Sequence, residues 1–157
     1  MKFIGFLSIL LFLVVSCSKK TCTTKTTNNN HFYLAMDKTP CFGQCPIYTV
    51  EVFGNGQLKL DARRFNDPDG NFSSVLDSDE MVKLQNLANN LKWDTFKEEY
   101  LTGYSDLPST VLTYSKTIGD TLYVRYESDK APKELMDLAS EIDIIKNSVK
   151  WKPLKID

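Results

Sequence analysis

The chain is poor in the residues on which most catalytic and metal sites depend. It has a single histidine, His31, so a Ser-His-Asp or Cys-His site would rest entirely on that side chain. Its seven glycines form neither a phosphate-binding loop nor a dinucleotide-binding fingerprint, and no HExxH motif is present. The oxygen-rich stretch 66–71 has its glycine too early for an EF-hand calcium loop and lacks the closing glutamate. We therefore assign no catalytic residue, no metal ligand and no cofactor.

A basic surface is also missing from the sequence. Residues 31–157 contain 15 lysines and arginines against 20 aspartates and glutamates. An acidic domain without a basic stripe is poorly suited to the phosphate backbone of DNA or RNA. We therefore expect no nucleic-acid partner.

A long hydrophobic run is found only near the N-terminus, where residues 3–16 are almost wholly apolar and follow Lys2. The run is too short to span a bilayer and has the length of the apolar region of a signal peptide. It ends in VVSC, residues 14–17, which resembles the lipobox of bacterial lipoproteins. The resemblance implies cleavage before Cys17 and attachment of lipid to this cysteine, which would anchor the protein. We therefore expect a lipoprotein signal peptide over residues 1–16.

Residues 17–30 are expected to form the lipidated cysteine and a flexible tether. From Ser18 onward this stretch has three lysines, no acid and no large apolar residue, so it cannot bury a core. Ser18 stands where an aspartate can retain a lipoprotein in the inner membrane, and the acidic cluster that directs some lipoproteins to the cell surface is absent. These features favour an outer-membrane, lipid-anchored location facing the periplasm. The role of Cys22, in the tether, stays open.

The segment 31–157 has the length and apolar content of one domain with a single core. The stretches 77–91 and 132–145 carry apolar residues at helical spacing, and Asp77 or Ser78 can cap the first of them. The first apolar stripe consists of Met81, Leu84, Leu87, Ala88 and Leu91, and the second of Leu135, Leu138, Ala139, Ile142 and Ile145. Each stripe predicts a helix that packs one face against the core.

Strands are predicted before each of these helices. Residues 31–38 alternate apolar and polar side chains, which is typical of a strand. In the next hairpin only a three-residue loop at 54–56 gives one wholly apolar face, and it places Gly56 in the left-handed conformation. A similar loop at 117–119 closes a second hairpin. The order predicts an α+β fold of two layers, with an antiparallel sheet of about five strands and both helices on one face.

Several stretches together resemble a family of bacterial lipoprotein and secreted domains catalogued as domain of unknown function 6438. They are TPCFGQCPIYTVEVFGNGQLKL, ARRF, WDTFKEEYLTGYSDLPST and APKELMDLASEID. The resemblance covers about residues 32–151, and its most specific piece is the CFGxCPxY pattern that begins at Cys41. SDLP, residues 105–108, is the second, although Ser105 stands where we expect a threonine. The resemblance implies no reaction, ligand or partner.

Cys41 and Cys45 bracket a short turn, which favours a structural disulfide. The predicted export places them where disulfides persist, and Gly43 lets the loop turn tightly. A loop this short removes little entropy from the unfolded chain, so its role would be to fix the start of the next strand. A metal or redox role is the second interpretation, because soft thiolates select Cu(I). Against it, no CxxC motif is present and no helix follows Cys41 to lower its pKa.

These features favour a non-enzymatic envelope lipoprotein that binds or scaffolds an envelope protein or a glycan. The face of the sheet away from the helices would combine exposed aromatic and charged side chains, as binding patches do. The candidate binding residues are Tyr33, Glu51, Lys59, Arg63, Tyr123 and Arg125 on this face, with Asp106 in the SDLP stretch. The rival hypothesis is a periplasmic enzyme, or a thiol or copper-binding protein that uses Cys41 and Cys45.

We predict that Cys17→Ala blocks incorporation of labelled palmitate and releases the protein from the membrane fraction. Cys17 alone follows the lipobox pattern, so Cys22→Ala should leave both properties unchanged and serves as the control. Radiolabelling and membrane fractionation measure the two effects. A Cys17→Ala protein that still sediments with membranes, beside a wild type that takes up no palmitate, would contradict the lipoprotein assignment.

Overall fold

A computed structural model describes residues 31–154 of the chain. The predicted signal peptide, the lipid site Cys17 and the tether with Cys22 lie outside the described residues. Within residues 31–154, no helix combines the length and the hydropathy needed to cross a membrane.

Eight strands and two α-helices form within the described range, together with a short 3-10 helix at Trp93–Thr95. The elements are β1 Tyr33–Lys38, β2 Ile47–Phe53, β3 Gln57–Arg64, β4 Gly70–Val75, α1 Ser78–Asn90, β5 Glu99–Tyr100, β6 Ser109–Thr117, β7 Asp120–Glu127, α2 Lys133–Ser148 and β8 Lys152–Pro153. All strands belong to one open sheet in the order β5-β7-β6-β1-β2-β3-β4-β8.

The predicted α+β class with two helices is confirmed, but the sheet is wider than predicted and is mixed. It has eight strands in the described residues instead of about five, and β5 pairs with β7 in parallel. The missed strands have weak sequence signals. β5 and β8 are two residues long, and β4 buries only Phe72 among its six residues, because its neighbours in the strand are mostly small or polar. A strand that buries one large side chain shows no alternation of apolar residues.

The β2–β3 hairpin has the predicted register. Val52 lies opposite Leu58 and Val50 opposite Leu60, so these four side chains form one buried apolar face. Gly56 has a φ of 83°, in the left-handed region that the three-residue loop requires. The requirement for a single apolar face was therefore sufficient to fix this register.

The β6–β7 hairpin follows the prediction along its length but not at its tip. Tyr114 lies opposite Leu122 as predicted, yet Thr117 pairs with Asp120, so the turn has two residues instead of the predicted three at 117–119. A β-bulge between Tyr114 and Thr117 accommodates the extra residue, and there the Ser115 hydroxyl donates a hydrogen bond of 2.8 Å to the Thr117 carbonyl oxygen. A bulge leaves the apolar alternation before it intact, so the sequence pattern did not show it.

Both helices pack on the same face of the sheet and share one core with it. Asp77 caps α1 by accepting hydrogen bonds from two backbone N–H groups in its first turn. The apolar stripe of α2 is buried in full, whereas that of α1 is buried only at Met81, Leu84 and Ala88. Leu87 is 37% exposed, so the predicted α1 stripe is wider than the buried one.

We predict that Gly56→Ala lowers the free energy of unfolding by about 1–2 kcal/mol, the cost of forcing a Cβ into the left-handed conformation. The added Cβ would also lie 3.3 Å from the Leu76 carbonyl oxygen. Gly43→Ala is the matched control, because its Cβ meets only ordinary contact with the Cys41 sulfur at 3.7 Å. Urea denaturation measures both, and equal midpoints for wild type and Gly56→Ala would contradict the hairpin geometry.

Candidate functional site

The register places most of the predicted binding residues on the sheet face away from the helices. Tyr33, Glu51, Lys59, Arg63, Tyr123 and Arg125 alternate with the buried residues of β1, β2, β3 and β7. Asp106 does not share this face and lies in the loop before β6. The structure thus brings six of the seven candidates onto one surface, while their binding role remains a prediction.

The polar groups of this outer face bond largely to one another. On its central strands, the Tyr33 hydroxyl donates to Glu51 at 2.8 Å, and Arg63 donates to Thr49 at 3.0 Å and pairs with Asp37. Burial and the hydrogen bond to Glu51 raise the pKa of Tyr33 above its ordinary value. Groups that are already paired have less capacity for a partner, so these strands resemble an ordered solvated surface more than an open binding patch.

The β7 part of the outer face is similarly paired. Tyr123 donates to Glu98 at 3.2 Å, and this neighbouring carboxylate raises the pKa of the tyrosine. Arg125 donates to the Ser109 hydroxyl at 3.0 Å and lies 4.0 Å from a Glu99 carboxylate oxygen. Arg125 therefore links β7 to the strands on either side of it.

The two most specific stretches of the sequence meet at one end of the sheet. Cys41 and Cys45 form the predicted disulfide, with alpha carbons 5.8 Å apart. Inside this loop, the Phe42 N–H donates to the Asp106 carbonyl oxygen at 3.1 Å. At the base of the loop, the Thr39 N–H donates to the Ser109 carbonyl oxygen at 3.0 Å. We call the pair of loops 39–46 and 101–108 the loop end of the sheet.

A buried carboxylate fixes the second of these loops. Glu127, at the end of β7, is 4% exposed and accepts hydrogen bonds from the Thr102 N–H at 2.8 Å and the Thr102 hydroxyl at 2.7 Å. These bonds hold the pKa of the Glu127 carboxyl below its ordinary value. The start of the loop at 101–108 is thus tied to the rigid sheet.

Large apolar side chains project from the loop end. Phe42 is 93% exposed, Tyr104 70% and Leu101 42%. Next to them is a shallow cleft of about 520 Å³, whose lining includes Pro40, Leu101, Tyr104, Leu107, Arg125 and Glu127. The loop end therefore combines exposed apolar side chains with a cleft that has one basic residue, Arg125, and one acidic residue, Glu127, in its lining.

A polar cluster lies on the helix side of the same end of the sheet. The Tyr48 hydroxyl donates to Asp143 of α2, and Lys38 lies 3.7 Å from the same carboxylate. Lys38 also donates to the Thr110 hydroxyl at 2.9 Å. Burial, followed by the bond to Asp143, raises the pKa of Tyr48. The phenol therefore stays protonated and donates to Asp143, and this bond links β2 to α2.

The disulfide bears on the second interpretation of the cysteines. Both sulfurs are bonded to each other, so neither is a thiolate that could ligate copper unless the bond is reduced. Within residues 31–154, no three His, Cys, Asp or Glu side chains are grouped closely enough to hold a metal ion. His31 is exposed at the far end of β1, with its ring 3.3 Å from the Ser115 hydroxyl.

Sequence reasoning missed the exposed Phe42 and Tyr104 and the anchoring Glu127. Phe42 had a usable sequence signal, because a large apolar residue among the three residues between two bonded cysteines has no core to enter. Glu127 follows Arg125 by two residues, which places it on the outer face, but nothing local indicates that Thr102 covers it.

Together these features define a small α+β domain in which a disulfide-closed loop and a second loop meet at one end of an open sheet. The chain belongs to the family described as domain of unknown function (DUF6438), whose model matches residues 32–146. The resemblance seen in the sequence is thus confirmed at the level of the family. A comparison with curated proteins finds no match.

We predict that Glu127→Gln lowers the free energy of unfolding at pH 7, and that its difference from wild type shrinks as the pH falls below 4.5. The folded carboxyl has a lowered pKa, so its contribution is complete above the ordinary value of 4.5 and is lost as the pH falls through the folded pKa. Urea denaturation at pH 7 and at lower pH measures this.

Thr102→Val removes the hydroxyl that donates to Glu127 and should also lower the free energy of unfolding at pH 7. Thr102→Ser keeps this hydroxyl and is the control. A difference between wild type and Glu127→Gln that is the same at every pH would show that the carboxylate charge has no role in fixing the loop.

Proposed function

We propose that the protein is a lipid-anchored envelope lipoprotein, facing the periplasm, whose domain is a non-enzymatic binding module. Its recognition surface is the loop end of the sheet, and its partner is an envelope protein with an apolar pocket. The observation that carries this proposal is the position of Phe42, which is 93% exposed on a loop closed by the Cys41–Cys45 disulfide.

The exposure of Phe42 is enforced by the structure of its loop. The disulfide and the hydrogen bond from the Phe42 N–H to Asp106 both hold the backbone in the position from which the ring extends into solvent. Leaving a phenylalanine in water forgoes about 1.5–3 kcal/mol of burial energy. A ring held outward on a fixed loop loses little freedom when it enters a partner's pocket, which is the property of an interface anchor.

The surroundings of Phe42 favour a protein as the partner. Tyr104 and Leu101 add exposed apolar surface on the loop that bonds to the Phe42 backbone, and Arg125 and Glu127 border the cleft that they line. An apolar centre with a polar margin is the usual composition of a protein–protein interface. The free outer face of the sheet, whose polar groups are mostly paired internally, offers less for a partner to bind.

The position of the loop end agrees with an anchored protein. Phe42 follows the C-terminal end of β1, whereas the chain enters the domain at the N-terminal end of this strand. An anchor attached before Tyr33 would therefore join the domain at the end of the sheet opposite to the loop end. Attachment at that end leaves the loop end accessible to a second protein.

We predict that a photocrosslinking residue at position 104, irradiated in intact cells, forms a discrete adduct with an envelope protein. Phe42→Ser in the same chain should reduce the adduct roughly tenfold or more, because loss of an interface anchor costs 2 kcal/mol or more. Immunoblotting of the full-length protein measures the adduct.

Ile118→Ser is the matched control, since Ile118 is 86% exposed at the turn on the opposite end of the sheet. It should leave the adduct unchanged. Absence of any adduct at position 104, or equal loss with both serine variants, would contradict the proposal.

A further inference from the structure

A second cavity lies on the helix side of the sheet and plays no part in the proposed protein contact. It has a volume of about 650 Å³, is open to solvent, and is bordered by the start of β2, the β3–β4 loop and the end of α2. Binding sites for small molecules usually measure about 300–1,000 Å³. We call it the Tyr48 cavity, after the residue shared with the polar cluster described above.

The apolar walls of the Tyr48 cavity are aromatic. Tyr48 and Phe72 line it and are buried, at 6% and 8% exposure. Phe65 and Trp151 are more accessible, with Phe65 at 36% exposure and Trp151 partly buried against the core. Two of the four aromatic rings are therefore accessible from solvent.

The accessible ring of Phe65 projects from a residue whose backbone has an unfavourable conformation. Phe65 has a φ of 58°, a conformation that bulky residues rarely adopt and that tends to mark functional sites. The next side chain, Asn66, donates 2.9 Å hydrogen bonds to the carbonyl oxygens of both Ile47 and Arg64. These bonds lock the start of the β3–β4 loop and fix the direction in which Phe65 projects.

The Trp151 ring is fixed as well. The Trp151 indole N–H donates a 2.8 Å hydrogen bond to the Lys146 carbonyl oxygen at the end of α2. With its one polar group engaged by the backbone, Trp151 presents only its apolar ring surface to the cavity. The cavity thus has two accessible rings, Phe65 and Trp151, against which the apolar surface of a ligand can pack.

Polar groups of both kinds line the cavity beside these rings. The Asp143 carboxylate accepts from Tyr48 and lies near Lys38, and it still has lone pairs free for further donors. Lys146 lies 4.8 Å from the centre of the Tyr48 ring and donates to the Asn147 side-chain oxygen at 3.0 Å. Its remaining N–H groups and the Asn147 amide can donate to a ligand.

This combination selects the class of ligand. A pure hydrocarbon would strip water from Asp143, Lys146 and Asn147 without replacing their hydrogen bonds. A strongly anionic ligand would meet the carboxylates of Asp143 and Asp67. A sugar ring satisfies both requirements, because its C–H face packs on aromatic rings while its hydroxyls donate and accept hydrogen bonds at the edge.

We propose that the Tyr48 cavity binds one uncharged saccharide unit, stacked on Phe65 and Trp151 and hydrogen-bonded by Asp143, Lys146 and Asn147. This site is separate from Phe42 and does not depend on the proposed protein partner. Its ligand would be a glycan of the envelope compartment, if the predicted export is correct.

The test uses the full-length protein in detergent on an array of neutral, N-acetylated and acidic oligosaccharides, followed by calorimetric titration of the neutral or N-acetylated sugar that binds best. We expect saturable binding that Phe65→Gly weakens at least tenfold. Glycine tolerates the positive φ of position 65, so this variant should keep the thermal midpoint of wild type while it removes the ring.

Trp151→Ala should weaken binding to a similar degree, and Ile118→Ser, which removes an exposed side chain at the opposite end of the sheet, is the matched control. The proposal is overturned if no neutral or N-acetylated sugar binds saturably, if only acidic sugars bind, or if Phe65→Gly binds as tightly as wild type. The photocrosslinking experiment at position 104 is unaffected by any of these outcomes.

Discussion

The whole domain depends on the pairing of β1, which is hydrogen-bonded to β2 on one side and to β6 on the other. Leu34 lies between Val52 and Tyr114, and Met36 between Val50 and Leu112, so the core-facing residues of three strands are aligned across one strand. A shift of β1 by one residue would turn all of its apolar side chains to the wrong face. The alignment that fills the core therefore also decides which residues reach the outer face and which reach the loop end.

Both candidate sites follow from where the central strands stop. β1 ends at Lys38 and β6 begins at Ser109, so the chain must turn outward at the same place in two loops, which then bond to each other. On the helix side, the start of β2 brings Tyr48 to Asp143 of α2, and the gap beyond this contact is the Tyr48 cavity. The regular core provides a rigid frame, and the functional candidates lie where regular structure ends.

The sequence was sufficient for those parts of the fold that depend on local patterns. The loop at Gly56 could be deduced because only one register gave an apolar face, and the buried stripe of α2 followed from its spacing. The two-residue strands and β4 could not be deduced, since a strand with one large buried side chain has no pattern of its own. Their places are set by the strands beside them.

The candidate sites were less predictable, because they are made by contacts between distant parts of the chain. The disulfide could be predicted from the local spacing of Cys41 and Cys45, from Gly43 between them and from the predicted export. By contrast, Tyr48 and Asp143 are 95 positions apart, and nothing near either residue indicates the other. The outer-face residues were placed correctly by alternation, but alternation does not reveal that Tyr33 and Glu51 bond to each other.

The position of β1 also has a mechanical consequence. The chain enters the domain at one end of this strand, and the Cys41–Cys45 loop leaves from the other. Tension between the N-terminal segment and a partner held at that loop would run along the length of β1. Because both points of attachment lie on the same strand, the covalent backbone of β1 would carry the load, and its hydrogen bonds to β2 and β6 would not be sheared. A partner could therefore pull on the anchored domain without opening its sheet.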